Sequence, residues 1–186
     1  MAEKDLILTS FNETKNTAER CISTLVEDIV KLADLFEKTF ESGKKVIVFG
    51  NGGCAGVANI MAASFIGRFK SGKEGRPVLS LSSNADIITT LSNDYGFENL
   101  YKKQVEAYVV ENDLVIGLST SGNSVNVVNG IEEAKAKGAY TIAITGEGGG
   151  KLEGIVDFII KIPSKQPTQI ENVMGEINSI LCKMLK

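Results

Sequence analysis

Five short apolar runs, separated by stretches with helical spacing, constrain this chain more than any other feature of its sequence. They are VIVFG (residues 46–50), PVLSLSS (77–83), LVIGL (114–118), AYTIAIT (139–145) and VDFIIKIP (156–163). The third run is unbroken and contains β-branched residues, which is the pattern of a strand buried on both faces. Apolar strands that alternate with helices form a parallel sheet with helices on both sides. The sequence therefore predicts an α/β fold with a doubly wound, five-stranded parallel sheet.

The segment ahead of the first strand, residues 1–43, predicts either one long helix or a helical hairpin. Its apolar side chains between residues 25 and 40 recur with a period close to that of a helix, and Gly43 follows. Such a helix has more apolar surface than one small domain covers, which predicts packing against a second subunit; the alternative is a helix across its own domain. We expect a single domain, made of this segment and an α/β sandwich over residues 44–186.

Composition and charge exclude several classes of function. Lys and Arg number 20 against 23 Asp and Glu, so no basic face for direct nucleic-acid binding is indicated. The apolar runs are too short to span a membrane, and the start MAEKDLILTSFNETK lacks the apolar core of a signal peptide. The cysteines suggest no disulfide framework. We therefore expect a cytoplasmic protein. The absence of histidine excludes an imidazole base and any zinc site that needs a His ligand.

The loop after the third strand is the strongest candidate for a ligand site. Ser119, Thr120, Ser121 and Ser124 crowd together just before the helical segment that starts VNVVNG. A helix N-terminus offers free N–H donors and about half a positive charge, which suits a phosphate. The alternative is that Ser121 or Ser124 caps the helix and the other hydroxyls fill a turn. Since a cap needs fewer hydroxyls than are present, we predict an anion-binding loop.

A second loop, residues 50–56 (GNGGCAG), follows the first strand and is expected at the same edge of the sheet. Its glycines loosely match a dinucleotide fingerprint, but no acid follows the second strand before Asp86, so no nicotinamide or flavin cofactor is expected. Asn51 either donates to a ligand or stabilises its turn. Cys54 either has a thiol pKa lowered by the start of the next helix or is a small turn residue.

Further helices are expected to about residue 69, near residues 86–91 and 98–108, and over about 167–185. Arg68, at the end of the first of these, either reaches a phosphate or stabilises its helix C-terminus. Asp94 belongs to Asn-Asp-Tyr-Gly, residues 93–96, a composition typical of a turn.

Several of these motifs together resemble the phosphoheptose isomerase family, which belongs to the sugar isomerase (SIS) domain class. They are GNGG, GRF (67–69), LSNDYGFENLYKKQV (91–105), GLSTSGNSVNVV (117–128) and IPS (162–164). The resemblance runs from about residue 44 to the end. It implies the SIS fold, a homotetramer, sugar-phosphate sites at subunit interfaces and a reaction of sedoheptulose 7-phosphate. By motif, the phosphate would be held by Ser119, Thr120, Ser121 and Ser124, and the sugar pocket would be lined by Asn51, Cys54, Arg68 and Asp94.

The departures from the family pattern fall on its catalytic and zinc positions. Ile60 and Ser64 stand where the family has a His and a Glu, and Ser179 stands where it has a second His. These side chains supply neither a base nor a metal ligand, so no zinc and no other cofactor is expected. Glu171, where the family has Gln, is the best replacement base. The alternative is that residues 168–171, Thr-Gln-Ile-Glu, form a capping box for the last helix.

Two functions therefore stay open. The chain is either an aldose–ketose isomerase with Glu171 as its base, or a non-catalytic binding or assembly protein that keeps the fold and has lost the reaction. The second resembles the bacterial replication initiator-associating protein, whose first helix also reads Ala-Ala-Ser at the catalytic position, as residues 62–64 do here.

Overall fold

The fold is described from a computed structural model that covers residues 3–67 and 74–185. The helices in these ranges are α1 (Glu3–Thr24), α2 (Val26–Glu41), α3 (Gly53–Ile66), α4 (Ala85–Tyr95), α5 (Leu100–Tyr108), α6 (Val125–Ala136) and α7 (Pro167–Met184). The strands are β1 (Val46–Gly50), β2 (Val78–Ser80), β3 (Leu114–Ser119), β4 (Tyr140–Gly146) and β5 (Phe158–Ile162). Short 3-10 turns occupy Phe97–Asn99 and Gly150–Gly154. In the described residues no helix is long and apolar enough to cross a membrane.

The strands form one parallel sheet in the order β2-β1-β3-β4-β5. After β2 the chain crosses over to the other side of β1, so the strand order switches between β1 and β3. Ligands in such sheets bind beyond the carboxyl ends of the strands at this switch point. The predicted doubly wound α/β fold is confirmed, and the two candidate loops start from the two strands at the switch.

Helices bury both faces of the sheet. On one face α2, α3 and α7 enclose a core that includes Phe36, Phe65 and Met174, with the two phenylalanine rings 5.4 Å apart. On the other face α5 and α6 enclose a core that includes Tyr101 and Ile131. Each large apolar side chain buried in this way contributes about 1.5–3 kcal/mol, so the position of the loops is set by a rigid frame.

The N-terminal segment is one long helix with a single interruption, and the hairpin alternative is wrong. Leu25 alone separates α1 from α2. Backbone hydrogen bonds continue through the break, because the Leu25 N–H donates to the Cys21 carbonyl and the Ile29 N–H donates to the Leu25 carbonyl. Within α1, all of which the structure describes, Thr17 alone is buried.

The predicted turn at residues 93–96 is wrong as well. Asn84 caps α4 by accepting the Ile87 N–H through its side chain, and the helix continues through Asp94 to Tyr95. Gly96, with φ of 82°, ends it. Because Ile88 and Leu91 pack against the core, this helix is longer than its turn-like final residues suggest.

Candidate functional site

Two loops meet at the carboxyl edge of the sheet: the glycine loop (residues 50–56) after β1 and the serine loop (residues 119–124) after β3. Gly50 is the register partner of Leu118. A Cβ atom on Gly50 would lie 2.7 Å from the Leu118 carbonyl oxygen, so this approach requires glycine. The Thr120 backbone is also close enough to the Cys54 thiol to act on its pKa, in the direction that lowers it. The predicted proximity of the two loops is therefore observed.

Two of the hydroxyl residues of the serine loop, Thr120 and Ser121, line an open cleft, while Ser119 and Ser124 contact each other. Ser119 is buried, and its Oγ lies 3.1 Å from the Oγ of Ser124. Thr120 and Ser121 line a cleft of about 510 Å³ together with Ser164 and Lys165, a volume within the range of small-molecule sites. Ser124 precedes α6 but makes no capping hydrogen bond to it. The capping role considered for Ser124 is therefore wrong, and in the first turn of α6 the Asn126 side chain accepts the Val127 N–H instead.

A third loop, which the sequence analysis did not connect to the site, braces the serine loop from the side of β4. The Leu152 N–H donates to the Gly122 carbonyl oxygen over 3.1 Å, and the Lys151 N–H donates to Asn123 Oδ1 over 3.0 Å. Gly122 adopts φ of +67°, and a Cβ atom there would lie 1.9 Å from the Gly149 carbonyl oxygen. The cluster of glycines at 148–150 was the sequence signal for this close approach.

In the glycine loop, Asn51 is paired with a residue that sequence reasoning missed. Its Nδ2 donates to Asn126 Oδ1 over 2.8 Å, and Asn126 Nδ2 donates back to Asn51 Oδ1 over 2.9 Å. Asn126 belongs to the first turn of α6. The Asn51 carboxamide thus links the two loops, while its contact with a sugar stays a prediction.

Cys54 is buried between the glycine loop and α7. Burial raises the pKa of its thiol from 9.0 to about 11, and the negative charge of Glu171 adds to the increase. Its sulfur lies 4.0 Å from the sulfur of Met174. The lowered thiol pKa considered from the sequence is therefore wrong, because desolvation and a like charge outweigh the start of α3. The place of Cys54 in a sugar pocket stays a prediction.

Glu171 lies in this same region. Its carboxylate packs against the start of α3, where a Cβ atom on Gly53 would lie 2.3 Å from the Glu171 Oε2. The capping box at residues 168–171 is wrong, since α7 begins at Pro167 after Gln166 and has no side-chain cap. Proline at the first helical position lacks an N–H that would be unpaired anyway. Thr168 is consequently inside the helix, and Glu171 is free to face the glycine loop.

The residues at the family's zinc and catalytic positions do not fit a zinc ion. Ile60 is exposed on α3, and Ser64 accepts a hydrogen bond of 3.4 Å from the Nδ2 of the buried Asn178 on α7. Ser179 is half-buried beside it. The chain has no histidine. Over residues 3–67 and 74–185, no group of three or more Cys, Asp or Glu side chains is placed to hold a metal ion.

Of the two further predicted site residues, Asp94 makes no hydrogen bond to these loops in the part of the chain that the structure describes. Arg68 lies outside the described residues. Asp94 is exposed in the last turn of α4, where its Oδ1 accepts a hydrogen bond of 2.8 Å from Asn93 Nδ2. Its role in a sugar pocket stays a prediction.

Similarity to known proteins extends over nearly the whole chain. The family model of the SIS domain matches residues 10–146. A phosphoheptose isomerase of Aquifex aeolicus is 36% identical over 176 residues, which cover 95% of this chain and 92% of the relative. One of Geobacter metallireducens is 36% identical over 180 residues, 97% of this chain and 95% of the relative. The structure of a phosphoheptose isomerase from Francisella tularensis matches with a TM-score of 0.92 and 28% identity, covering 98% and 97% of the two chains.

Proposed function

Because this chain belongs to the SIS-domain family and, within it, to the phosphoheptose isomerases, we propose that it binds a sugar phosphate and interconverts its ketose and aldose forms. The proposed substrate is sedoheptulose 7-phosphate or a closely related sugar phosphate. The observation that carries the proposal is the position of Glu171, whose carboxylate lies against Gly53 at the same sheet edge as the serine loop.

The serine loop is the proposed phosphate site. Ser119, Thr120, Ser121 and Ser124 supply hydroxyls beside the start of α6. Hydroxyl donors and the positive end of a helix both favour a phosphate over an uncharged group. The backbone bonds from Lys151 and Leu152 hold this loop in place before a ligand arrives.

Glu171 is the proposed base for the reaction. It would take a proton from C1 of the ketose and return it to C2, while the hydroxyl proton on O1 moves to O2. The C2 carbonyl thereby becomes a hydroxyl, and C1 becomes the aldehyde. The negative charge that develops on oxygen in the enediolate would be stabilised by the N–H groups at the start of α3, beside Gly53.

We propose that this reaction uses no zinc, since Ile60, Ser64 and Ser179 offer no ligand of the kind zinc prefers. Added zinc should then leave any turnover unchanged. A specific observation also favours a second function, binding without turnover. Ser64, at the position where the family resemblance places a catalytic Glu, accepts a hydrogen bond from Asn178 on α7, so its hydroxyl is engaged within the protein.

A homotetramer in the cytoplasm is the proposed state of the protein. The exposed apolar side chains on α1, including Leu8 and Phe11, support an assembly through this helix.

An assay coupled to aldose formation from sedoheptulose 7-phosphate, with and without zinc, tests the proposal. Glu171→Gln should lower kcat by about 100-fold or more, the usual size of general-base catalysis, and leave substrate binding intact. Glu176→Gln, on an exposed position of the same helix, is the matched control and should keep full activity.

The outcomes separate the candidate functions. Absence of turnover by the wild-type protein, with saturable sugar-phosphate binding that Ser121→Ala weakens, would establish the binding protein. Equal activity of Glu171→Gln and wild type would remove Glu171 as the base. Absence of any sugar-phosphate binding would overturn both functions.

A further inference from the structure

Asn51 and Asn126, 75 residues apart in the chain, form a reciprocal amide pair between the glycine loop and α6. Asn126 is 3% exposed, and its Oδ1 accepts both the Asn51 Nδ2–H and, over 3.0 Å, the Val127 N–H. Two accepted hydrogen bonds use both lone pairs of this oxygen. The orientation of the Asn126 carboxamide is therefore fixed by its own helix, and that of Asn51 is fixed by Asn126.

The residue before Asn51 is anchored from the opposite side. The Gly50 carbonyl oxygen accepts hydrogen bonds from the Tyr101 hydroxyl and, over 3.0 Å, from the Ser82 hydroxyl. The Gly50 N–H donates to the same Ser82 oxygen over 3.3 Å. The glycine loop thus starts from a fixed point, and the next two residues after Asn51 are glycines, which have no side chain to hold the loop. The Ala55 and Gly56 N–H groups donate to the Asn51 and Gly52 carbonyl oxygens and hold the loop to α3. The amide pair is the side-chain contact that joins it to the start of α6.

We propose that Asn126 is a positioning residue that sets the distance between the serine loop and the glycine loop. This inference rests on the proposed function, because a sugar phosphate must touch both loops at once: its phosphate meets the serine loop and its carbonyl end meets the glycine loop beside Glu171. Inorganic phosphate needs the serine loop alone. The amide pair should therefore matter for a sugar phosphate and be nearly irrelevant for inorganic phosphate.

Calorimetric titration of Asn126→Ala, Asn51→Ala and the double variant with sedoheptulose 7-phosphate and with inorganic phosphate tests this inference. Asn126→Ala should weaken sugar-phosphate binding about five- to tenfold, the size expected for lost hydrogen bonds, and change phosphate binding less than about twofold. Asn51→Ala should cost less in the Asn126→Ala background than it does alone, since residues that act through one contact are not additive. Asn129→Ala is the matched control, because Asn129 on the same helix donates to the Glu98 carbonyl oxygen instead.

Equal losses for the two ligands, or fully additive losses in the double variant, would overturn the inference; full additivity would mean that Asn51 acts on the sugar independently of Asn126. Asn51→Ala breaks the same pair from a partly exposed position, so it serves if Asn126→Ala does not fold.

Amide hydrogen exchange without ligand separates this inference from the proposed function. Residues 51–55 should exchange faster in Asn126→Ala than in wild type or Asn129→Ala, and unchanged exchange would overturn the pair's role. If the wild-type protein binds phosphate but no sugar phosphate, the proposed function fails while the exchange experiment still decides whether the pair fixes the loop.

Discussion

Cys54 stands at the point where the glycine loop, the serine loop and α7 meet, yet its surroundings suppress thiol reactivity. The start of a helix favours a thiolate. Here burial opposes the charged form more strongly, and the Glu171 carboxylate repels a second negative charge, so the pKa rises to about 11. At neutral pH the side chain is therefore a small neutral group, and the negative charge of this region belongs to Glu171.

The first prediction at the scale of single residues concerns alkylation of Cys54. Because the raised pKa leaves the thiol protonated, iodoacetamide should modify Cys54 of the folded protein very slowly below pH 9, and the rate should rise toward pH 11. Glu171→Gln should move this rise to lower pH, since it removes the repelling charge. Peptide mass spectrometry after timed labelling measures the rate at each of the cysteines separately. Rapid labelling of Cys54 at pH 7 would contradict this account.

The position of the serine loop in the fold was easier to predict from the sequence than the surroundings of Glu171. A cluster of hydroxyls after a buried strand is a local signal, and the strand places it at the sheet edge. The position of Glu171 depends on a contact with Gly53 in another element and on Pro167, which starts α7 two residues too early for a capping box. The partner of Asn51 was missed for the same reason, because no local pattern joins it to Asn126.

At the scale of elements, the serine loop is bonded to the loop that follows β4, residues 147–152, so that the two form one unit. Asn123 links them through its side chain: Oδ1 accepts the Lys151 N–H, and Nδ2 donates to the Ser121 carbonyl over 2.9 Å. The backbone at Gly122 approaches Gly149 so closely that no side chain fits between them. A loop held in this way loses little entropy when an anion binds.

A substitution at the contact between these loops tests this unit. Gly122→Ala should lower the free energy of unfolding by more than about 1 kcal/mol, because alanine at positive φ is strained and its Cβ would meet the Gly149 carbonyl oxygen. It should also weaken the binding of inorganic phosphate. Urea unfolding and calorimetry measure the two effects. Gly154→Ala, in the same connection after β4 but outside this cleft, has no atom within 4 Å of the added Cβ, so it is the control and should resemble wild type. Wild-type stability and phosphate affinity in Gly122→Ala would show that the two loops are independent.

Whole elements were predictable to different degrees. β3 and β4 were located well because strands buried on both faces leave long apolar runs. β2 is shorter than the predicted run at 77–83, since it lies at the sheet edge and pairs with β1 alone among the strands described. The choice between a hairpin and a long helix at residues 1–43 had no local signal, as no Gly or Pro marks the break at Leu25.

At the scale of the whole molecule, the N-terminal helix is the part that the single chain leaves uncovered. The exposed fractions of Leu8, Phe11 and Ile22 are 62%, 73% and 71%. Next to Ile22, a mainly apolar groove of about 560 Å³ runs between α1, α2 and α7. Apolar surface of this extent is unusual on a monomer and is typical of a subunit interface.

This surface gives the last prediction, on oligomeric state. Burial of apolar surface contributes about 25 cal/mol per Å², so burial of one aromatic side chain contributes a few kcal/mol to the free energy of association. A lysine in its place would have to be buried with its charge, which is unfavourable. Phe11→Lys should therefore convert the proposed tetramer into smaller species in light scattering after size-exclusion chromatography. Asn12→Lys adds the same charge one residue later on the same exposed helix, so it controls for charge and should keep the wild-type mass. Helical content by circular dichroism should be equal in the two variants, which separates loss of assembly from unfolding of α1. A wild-type monomer at micromolar concentration, or a tetramer that survives Phe11→Lys, would mean that α1 does not hold the subunits together.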